Sequence, residues 1–126
     1  MNINIFKLTV IYFLFFIQNT FAFEWVKVVG AEDAVYIDIT SIKNDRKFVF
    51  YKSLNDTPSM GVNSMIFTNK ADCIQKKIIE LKIDYFGQPM GKGAVIKEEK
   101  NIKKEINPKA NTSKYKELKF VCNQKK

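Results

Sequence analysis

The sequence predicts an α+β domain: an antiparallel β-sheet of about five to six strands, with a C-terminal helix packed on it and pinned by a disulfide. Apolar and polar residues alternate with a period of two along most of the chain, which is typical of strands with one buried face. The last segment instead carries apolar residues at helical spacing. The two cysteines, Cys73 and Cys122, stand at the start of the longest alternating run and at the end of the helical stripe.

The first 22 residues have the layout of a secretory signal peptide. One lysine, Lys7, precedes an apolar run over residues 8–17, and a polar segment then ends in the small residue Ala22. A membrane-spanning helix needs about 20 apolar residues, so we expect cleavage after Ala22 and no transmembrane segment in the product. No cysteine lies near this site, so we expect no lipid anchor. Residues 23–126 then form a single domain.

The first half of the exported chain is predicted to contain short strands joined by turns. Residues 24–29, 34–38 and 47–54 are rich in β-formers and are separated by turn sequences. Asp38 stands directly before residues 39–42. Because an aspartate can accept a backbone N–H of the following turn, Asp38 is predicted to cap a single helical turn there.

The second half contains the longest predicted strand. After a weaker strand over residues 62–72, the run from Cys73 to Phe86 alternates strictly enough to be one strand. Ile79 and the odd-numbered residues after it are assigned to its core face, and Glu80 to the charged face in water. The glycine-rich loop "GQPMGKG" follows, and residues 93–97 form the returning strand.

The C-terminal region changes from a charged connection to a helix. Residues 98–111 contain few apolar side chains, with a loose helical turn predicted around Ile102 and Ile106. Residues 113–122 are predicted to form the terminal helix. Its apolar stripe consists of Tyr115, Leu118, Val121 and Cys122. The candidates for its N-cap are Asn111, Thr112 and Ser113.

The two cysteines are predicted to form a structural disulfide. An exported protein with an even number of cysteines is typical of disulfide bonding, and two cysteines allow one intramolecular pairing. A metal site would need further ligands, and a catalytic thiol would need a histidine partner. The sequence contains no histidine, so we predict neither a metal site nor a cofactor.

The charge balance favours anionic partners. The chain has a net charge of +8, and all but one of its 21 basic residues are lysines. Such an excess is suited to polysaccharide, acidic protein, nucleic acid or anionic lipid. The alternative is that the lysines reflect the codon usage of an AT-rich genome. Since arginine is preferred for bidentate phosphate contacts, we expect no specific nucleic-acid partner.

One cluster of lysines is the densest in the sequence. Candidate binding residues are Lys97, Lys100, Lys103 and Lys104. Glutamates are interspersed among them, and no aromatic residues alternate with them as in single-strand binders. No pattern of residues predicts catalysis, since the acidic residues lie where caps, turns and solvated strands are expected. We therefore expect a protein that is not an enzyme.

The order of short motifs resembles the surface-adhesin protein E family. The matching segments are "EWVKV", "VYID", "FVFYK", "DC", "DYFGQPMGKGAV" and the closing "FVC", in this order along nearly the whole exported chain. The resemblance implies an antiparallel sheet with a disulfide-held terminal helix. It also implies binding to host matrix or serum proteins. The expected function is therefore an exported binding module for a protein or polyanion. The alternative is a periplasmic accessory protein or inhibitor of an envelope complex.

Overall fold

A computed structural model describes residues 22–28, 30–31 and 34–124. The predicted signal peptide, except for Ala22, lies outside the described residues. Seven strands alternate in direction along one antiparallel sheet. They are β1 (Trp25–Lys27), β2 (Val35–Asp45), β3 (Phe48–Asn55), β4 (Ser64–Asp72), β5 (Lys77–Phe86), β6 (Val95–Glu99) and β7 (Lys104–Ile106). A 3-10 turn spans Pro89–Gly91, and a helix, α1, spans Ser113–Asn123. The predicted α+β class is confirmed.

The strand order is β1-β2-β3-β4-β5-β6, with β7 beside the first half of β5. β1 therefore forms one edge of the described sheet, and β6 and β7 share the other. β7 replaces the loose helical turn that was predicted around Ile102 and Ile106. That prediction is wrong because Ile106 pairs with Ile78 of β5, so the sheet ladder takes up the backbone hydrogen bonds of this segment.

α1 packs against one face of the sheet, called here the helix side. Its N-cap is Thr112, whose hydroxyl oxygen accepts a hydrogen bond from the Tyr115 N–H at 3.2 Å. Leu118 and Val121 are buried as the stripe predicted. They join the main core, whose other buried residues are Val28, Val35, Ile37, Val49, Tyr51, Ala71 and Ile78.

The Cys73–Cys122 disulfide ties the end of α1 to the sheet, as predicted. Cys73 does not begin β5, however. It lies in the four-residue turn between β4 and β5, and β5 starts at Lys77. The Asp72 carboxylate holds this turn by accepting the N–H groups of Ile74 (3.1 Å) and Gln75 (3.0 Å). Residues 73–76 therefore continue the alternating pattern of the strand in sequence but form a turn in the structure.

A bulge in β5 overturns the predicted assignment of its two faces. Thr68 of β4 pairs with Lys82 and Asn69 pairs with Glu80, so Leu81 is an extra residue. An extra residue exchanges the faces of everything beyond it. Ile78 and Glu80 consequently lie on the helix side, and Glu80 is buried rather than solvated.

Asp38 does not cap a helical turn, because β2 continues through residues 39–42 as a strand. The register with β3 shifts between Asp38 and Lys43. At this irregularity the Asp38 Oδ1 atom accepts hydrogen bonds from the Glu24 N–H (3.0 Å), the Thr40 N–H (3.0 Å) and the Thr40 hydroxyl (2.7 Å). Asp38 thus accepts hydrogen bonds from donors that the sheet ladder leaves unpaired, as a helix-capping aspartate does for the first N–H groups of a helix.

A smaller core lies on the opposite face of the sheet, called here the open side. Leu54, Ile66 and Phe86 are buried there, and the 3-10 turn covers them with Met90. Gly91 has φ +64°, and an added Cβ would lie 2.7 Å from the Ile66 Cδ1 atom. Glycine is therefore required by both backbone conformation and space. The turn covers this end of the open side and leaves the rest uncovered.

Candidate functional site

The uncovered part of the open side carries lysines and aromatic rings side by side. We call it the lysine–aromatic surface and define it by Lys43, Lys47, Phe48, Phe50, Lys52 and Lys70. Their common position follows from the register: Lys43 of β2 and Lys70 of β4 both lie opposite Phe50 of the central strand β3. Since side chains two residues apart on a strand share a face, Phe48 and Lys52 flank Phe50 along β3.

The aromatic rings hold the lysine ammonium groups in place. The Lys70 Nζ atom lies 4.3 Å from the centroid of the Phe48 ring, and Lys47 Nζ lies 5.0 Å from the same centroid. Lys52 Nζ lies 5.5 Å from the ring of Phe23, which stacks on Trp25 with centroids 5.0 Å apart. Ammonium groups at these distances are attracted by the ring quadrupole. The rings therefore restrict where these cations point.

The charge of this surface is only partly neutralised. Within the part of the chain that the structure describes, Lys43, Lys52 and Lys70 make no ion pair with a carboxylate. Lys47 pairs with Asp72, whose Oδ2 atom is 3.6 Å from the ammonium. The Gln75 N–H lowers the pKa of Asp72 most strongly, and the Ile74 N–H and Lys47 add to this against the opposing effect of burial. Three ammonium groups therefore remain for an external anion.

The helix side carries a second polar cluster beneath α1. The Tyr51 hydroxyl donates a 2.6 Å hydrogen bond to Glu117, and both side chains are buried. Lys114 lies 3.4 Å from Glu117 and 3.5 Å from Glu80, and so pairs with both carboxylates. Burial raises the pKa of Tyr51 well above its ordinary value, and the Glu117 charge raises it further. Each buried carboxylate of this cluster has a cation or hydroxyl beside it, so removing one partner would leave a buried charge without its contact.

A cavity of about 280 Å³ opens beside this cluster at the N-terminal end of α1. Apolar side chains including Phe67 and Ile83 form its walls, and Glu80, Glu117 and Lys114 lie at its polar end. The Lys114 ammonium lies 5.2 Å from the Phe67 ring centroid. The same ammonium pairs with both glutamates, so each carboxylate at the polar end of the cavity has a partner within the fold, but one ammonium balances only one of the two negative charges.

The four lysines predicted as binding residues do not form one surface. Lys97 Nζ lies 3.4 Å from Glu99, and Lys100 Nζ lies 3.4 Å from Glu98. Lys103 lies on the connection between β6 and β7 and has φ +51°. Lys104 is the backbone register partner of Glu80 in the sheet, and it lines the cavity on the helix side. Two of the four charges are thus paired with neighbouring glutamates. Lys97, opposite Tyr85, and Lys104, opposite Glu80, lie on the helix side. Lys100 instead pairs with Glu98, whose register partner Asp84 lies opposite Ile66 on the open side.

The lysine–aromatic surface was not identified from the sequence, although a signal was present. In "KFVFYKSL", Phe48, Phe50 and Lys52 alternate with the buried Val49 and Tyr51. That alternation separates two faces of β3 but does not say which face the helix covers. Lys43 and Lys70 join the surface only through strand pairing, which the sequence does not show.

Among the described residues, no group of three or more histidine, cysteine, aspartate or glutamate side chains is placed to hold a metal ion. In the same residues no helix is long and apolar enough to cross a membrane. The fold and its surfaces define a small disulfide-bonded α+β domain with an exposed cationic sheet face.

This chain belongs to the surface-adhesin protein E family, whose sequence model matches residues 25–123. The resemblance inferred from the motifs is thereby confirmed. An adhesin family implies a protein that is exported or exposed at the surface, and it is not a class of enzymes. No curated protein matches the sequence.

Solved structures of Haemophilus influenzae protein E share the fold. Crystal form II aligns with a TM-score of 0.66 at 16% identity, covering 79% of this chain and 87% of that one. The selenomethionine form aligns with a TM-score of 0.67 at 16% identity, covering 82% and 93%. A third structure gives 0.64 at 17% identity, covering 79% and 83%. At such low identity the likeness extends to the fold and not to individual surface residues.

Proposed function

We propose that this protein is an exported, non-enzymatic binding module that engages a host or envelope protein, or a polyanion, through its lysine–aromatic surface. The observation that carries the proposal is the set of ammonium groups of Lys43, Lys52 and Lys70 around Phe50 on an uncovered sheet face, none of which pairs with a carboxylate of the described residues. Membership of an adhesin family supports a binding role. The proposal includes cleavage after Ala22 and release without a lipid anchor.

The physical basis of such binding is a combination of charge and apolar contact. Ammonium groups steer an anionic partner toward the surface, and the half-buried rings of Phe48 and Phe50 provide contact area once it arrives. The other large polar cluster, under α1, is buried and internally paired. The open side is therefore the better of the two faces for a macromolecular partner.

The test is binding of the purified exported protein to a panel of immobilised matrix proteins, serum proteins and polyanions. We expect saturable binding that persists at physiological ionic strength, since partly buried contacts are screened less than exposed charges. Combining Lys52→Gln with Lys70→Gln should weaken that binding. Absence of saturable binding to any protein or polyanion in the panel would refute the proposal.

A second candidate function is that of a periplasmic accessory protein or inhibitor. It is favoured by one observation, the absence of a cysteine near the predicted cleavage site to carry a lipid anchor. Cell fractionation and protease treatment of intact cells separate the two. Retention in the periplasm supports the accessory role, and cleavage by external protease supports the adhesin.

A further inference from the structure

We infer that the ligand of the lysine–aromatic surface is an acidic polysaccharide, a chain of sugars bearing sulfate or carboxylate groups. This inference rests on the proposed function and narrows it to one class of partner. Three features of the surface support it: the spacing of its ammonium groups, the cations over its rings, and its position on a sheet face rather than an edge.

The ammonium groups form a spaced array instead of a single cluster. Lys43 and Lys70 lie on the strands either side of β3, opposite Phe50 in the register. Neighbouring strands are about 4.8 Å apart, so their backbones are separated by about 10 Å. Lys52 lies two residues from Phe50 along β3, about 7 Å away. An anion with charges repeated along its length can contact all three together, whereas a single small anion cannot.

Two rings at this surface, Phe48 and Phe23, have cations over them, which argues against stacked nucleobases there. The Phe48 ring has the ammonium groups of Lys70 and Lys47 within 5.0 Å of its centroid. Phe23, with 46% of its surface exposed, is stacked on Trp25 and carries Lys52 over its ring. Single-strand binders use free ring faces for bases. Here a base would have to displace the lysine, whereas a sugar bearing sulfate or carboxylate groups meets the ammonium where the ring holds it.

The surface also offers little to an acidic peptide. Extended peptides gain affinity from main-chain hydrogen bonds to a strand edge. Phe50 lies on β3, which is paired on both sides, with β2 and with β4. A peptide lying across this face would order its backbone without forming such bonds, at a cost in conformational entropy. A polysaccharide needs no main-chain pairing, since its anionic groups contact the ammoniums directly and its apolar C–H faces pack on the aromatic edges.

The test measures binding of the purified exported protein to heparan sulfate at about physiological salt, where the Debye length is about 8 Å. We expect saturable binding to the sulfated chain and at least a tenfold loss for chemically desulfated, carboxyl-reduced chains. Lys52→Glu with Lys70→Glu should reduce affinity at least tenfold. Lys109→Glu with Lys119→Glu makes the same change in net charge at exposed positions before and on α1, away from this surface, and should reduce affinity less than about threefold.

A second variant tests whether binding depends on the rings that position the ammonium groups or on net charge alone. Phe48→Leu keeps an apolar side chain but removes the ring that positions Lys70, and should weaken binding at least threefold without altering net charge. Circular dichroism and thermal unfolding establish that each variant is folded. If Lys52→Glu with Lys70→Glu does not fold, Lys52→Gln with Lys70→Gln and Phe48→Leu supply the result.

Three outcomes would overturn the inference. The first is an equal loss from both glutamate pairs, which would show generic charge at work. The second is competition by single-stranded DNA, polyglutamate or anionic vesicles as effective as that of free heparan sulfate at equal charge. The third is binding to matrix proteins without binding to heparan sulfate, which would leave the proposed function standing. Failure to bind any of these probes would refute both the inference and the proposed function.

Discussion

Removal of the disulfide should cost this domain a large part of its stability. The perturbation is Cys73→Ser together with Cys122→Ser, which opens a link between residues 49 positions apart. In the chain-entropy account, a loop of this length contributes about 4 kcal/mol. A domain of this size is stable by only about 5–15 kcal/mol in total.

The structure indicates where the loss should be greatest. α1 has 11 residues, and three of them, Glu117, Leu118 and Val121, are buried. A helix of this length is marginal in isolation, so its docking depends on these contacts and on the covalent link. Its amide protons should therefore lose more protection in the variant than those of the central strands β3 and β4.

The assay is urea unfolding followed by far-ultraviolet circular dichroism. With a slope of about 1–3 kcal/mol per molar urea, a loss of 4 kcal/mol lowers the midpoint by roughly 1.5–4 M. Wild-type protein held reduced should unfold with the variant, which controls for the serine substitutions. A midpoint shift below about 0.5 M would refute the reasoning, because it corresponds to about 1.5 kcal/mol or less.

Three further predictions concern buried polar and glycine positions. Tyr51→Phe should destabilise the fold by about 1–3 kcal/mol in urea unfolding, because the buried Glu117 loses its hydroxyl donor. Gly91→Ala should cost about 1–3 kcal/mol in the same assay, because the added Cβ would meet Ile66 at 2.7 Å. Folding lowers the pKa of Asp72 below its unfolded value of 3.8, so the ionised carboxylate stabilises the folded protein. This stabilisation is complete above pH 3.8 and is lost as the pH falls through the lower pKa of the folded state.

Each of these has a matched comparison. Tyr36→Phe on the open side should cost less than Tyr51→Phe, and an equal cost would contradict the role given to Glu117. Gly61→Ala also has positive φ but nothing within 4 Å of the added Cβ, so it isolates backbone strain from the clash. Asp72→Asn should be less stable than wild type at pH 7, and the gap should narrow in acid. A gap independent of pH would contradict the assignment.

Local sequence predicted those parts of the fold that depend on a single segment. The alternation of residues 47–54 gave β3, and the spacing of Leu118 and Val121 gave the buried stripe of α1. Local sequence did not predict two irregularities in the sheet, a bulge and a turn. The bulge at Leu81 buried Glu80, and the turn at Cys73 shortened β5, since neither irregularity changes the pattern of residue types enough to be seen.

The sequence by itself predicted a disulfide-bonded domain of alternating strands with a terminal helix, and its motif order indicated the family. These conclusions rest on composition, period and cysteine number, which are properties of the linear chain. Tertiary structure alone decided that α1 covers the face carrying Tyr51, leaving Phe50 on the open side. It also brought Lys43 and Lys70 beside that ring, because cross-strand pairing joins residues that are distant in sequence and whose register no local pattern encodes.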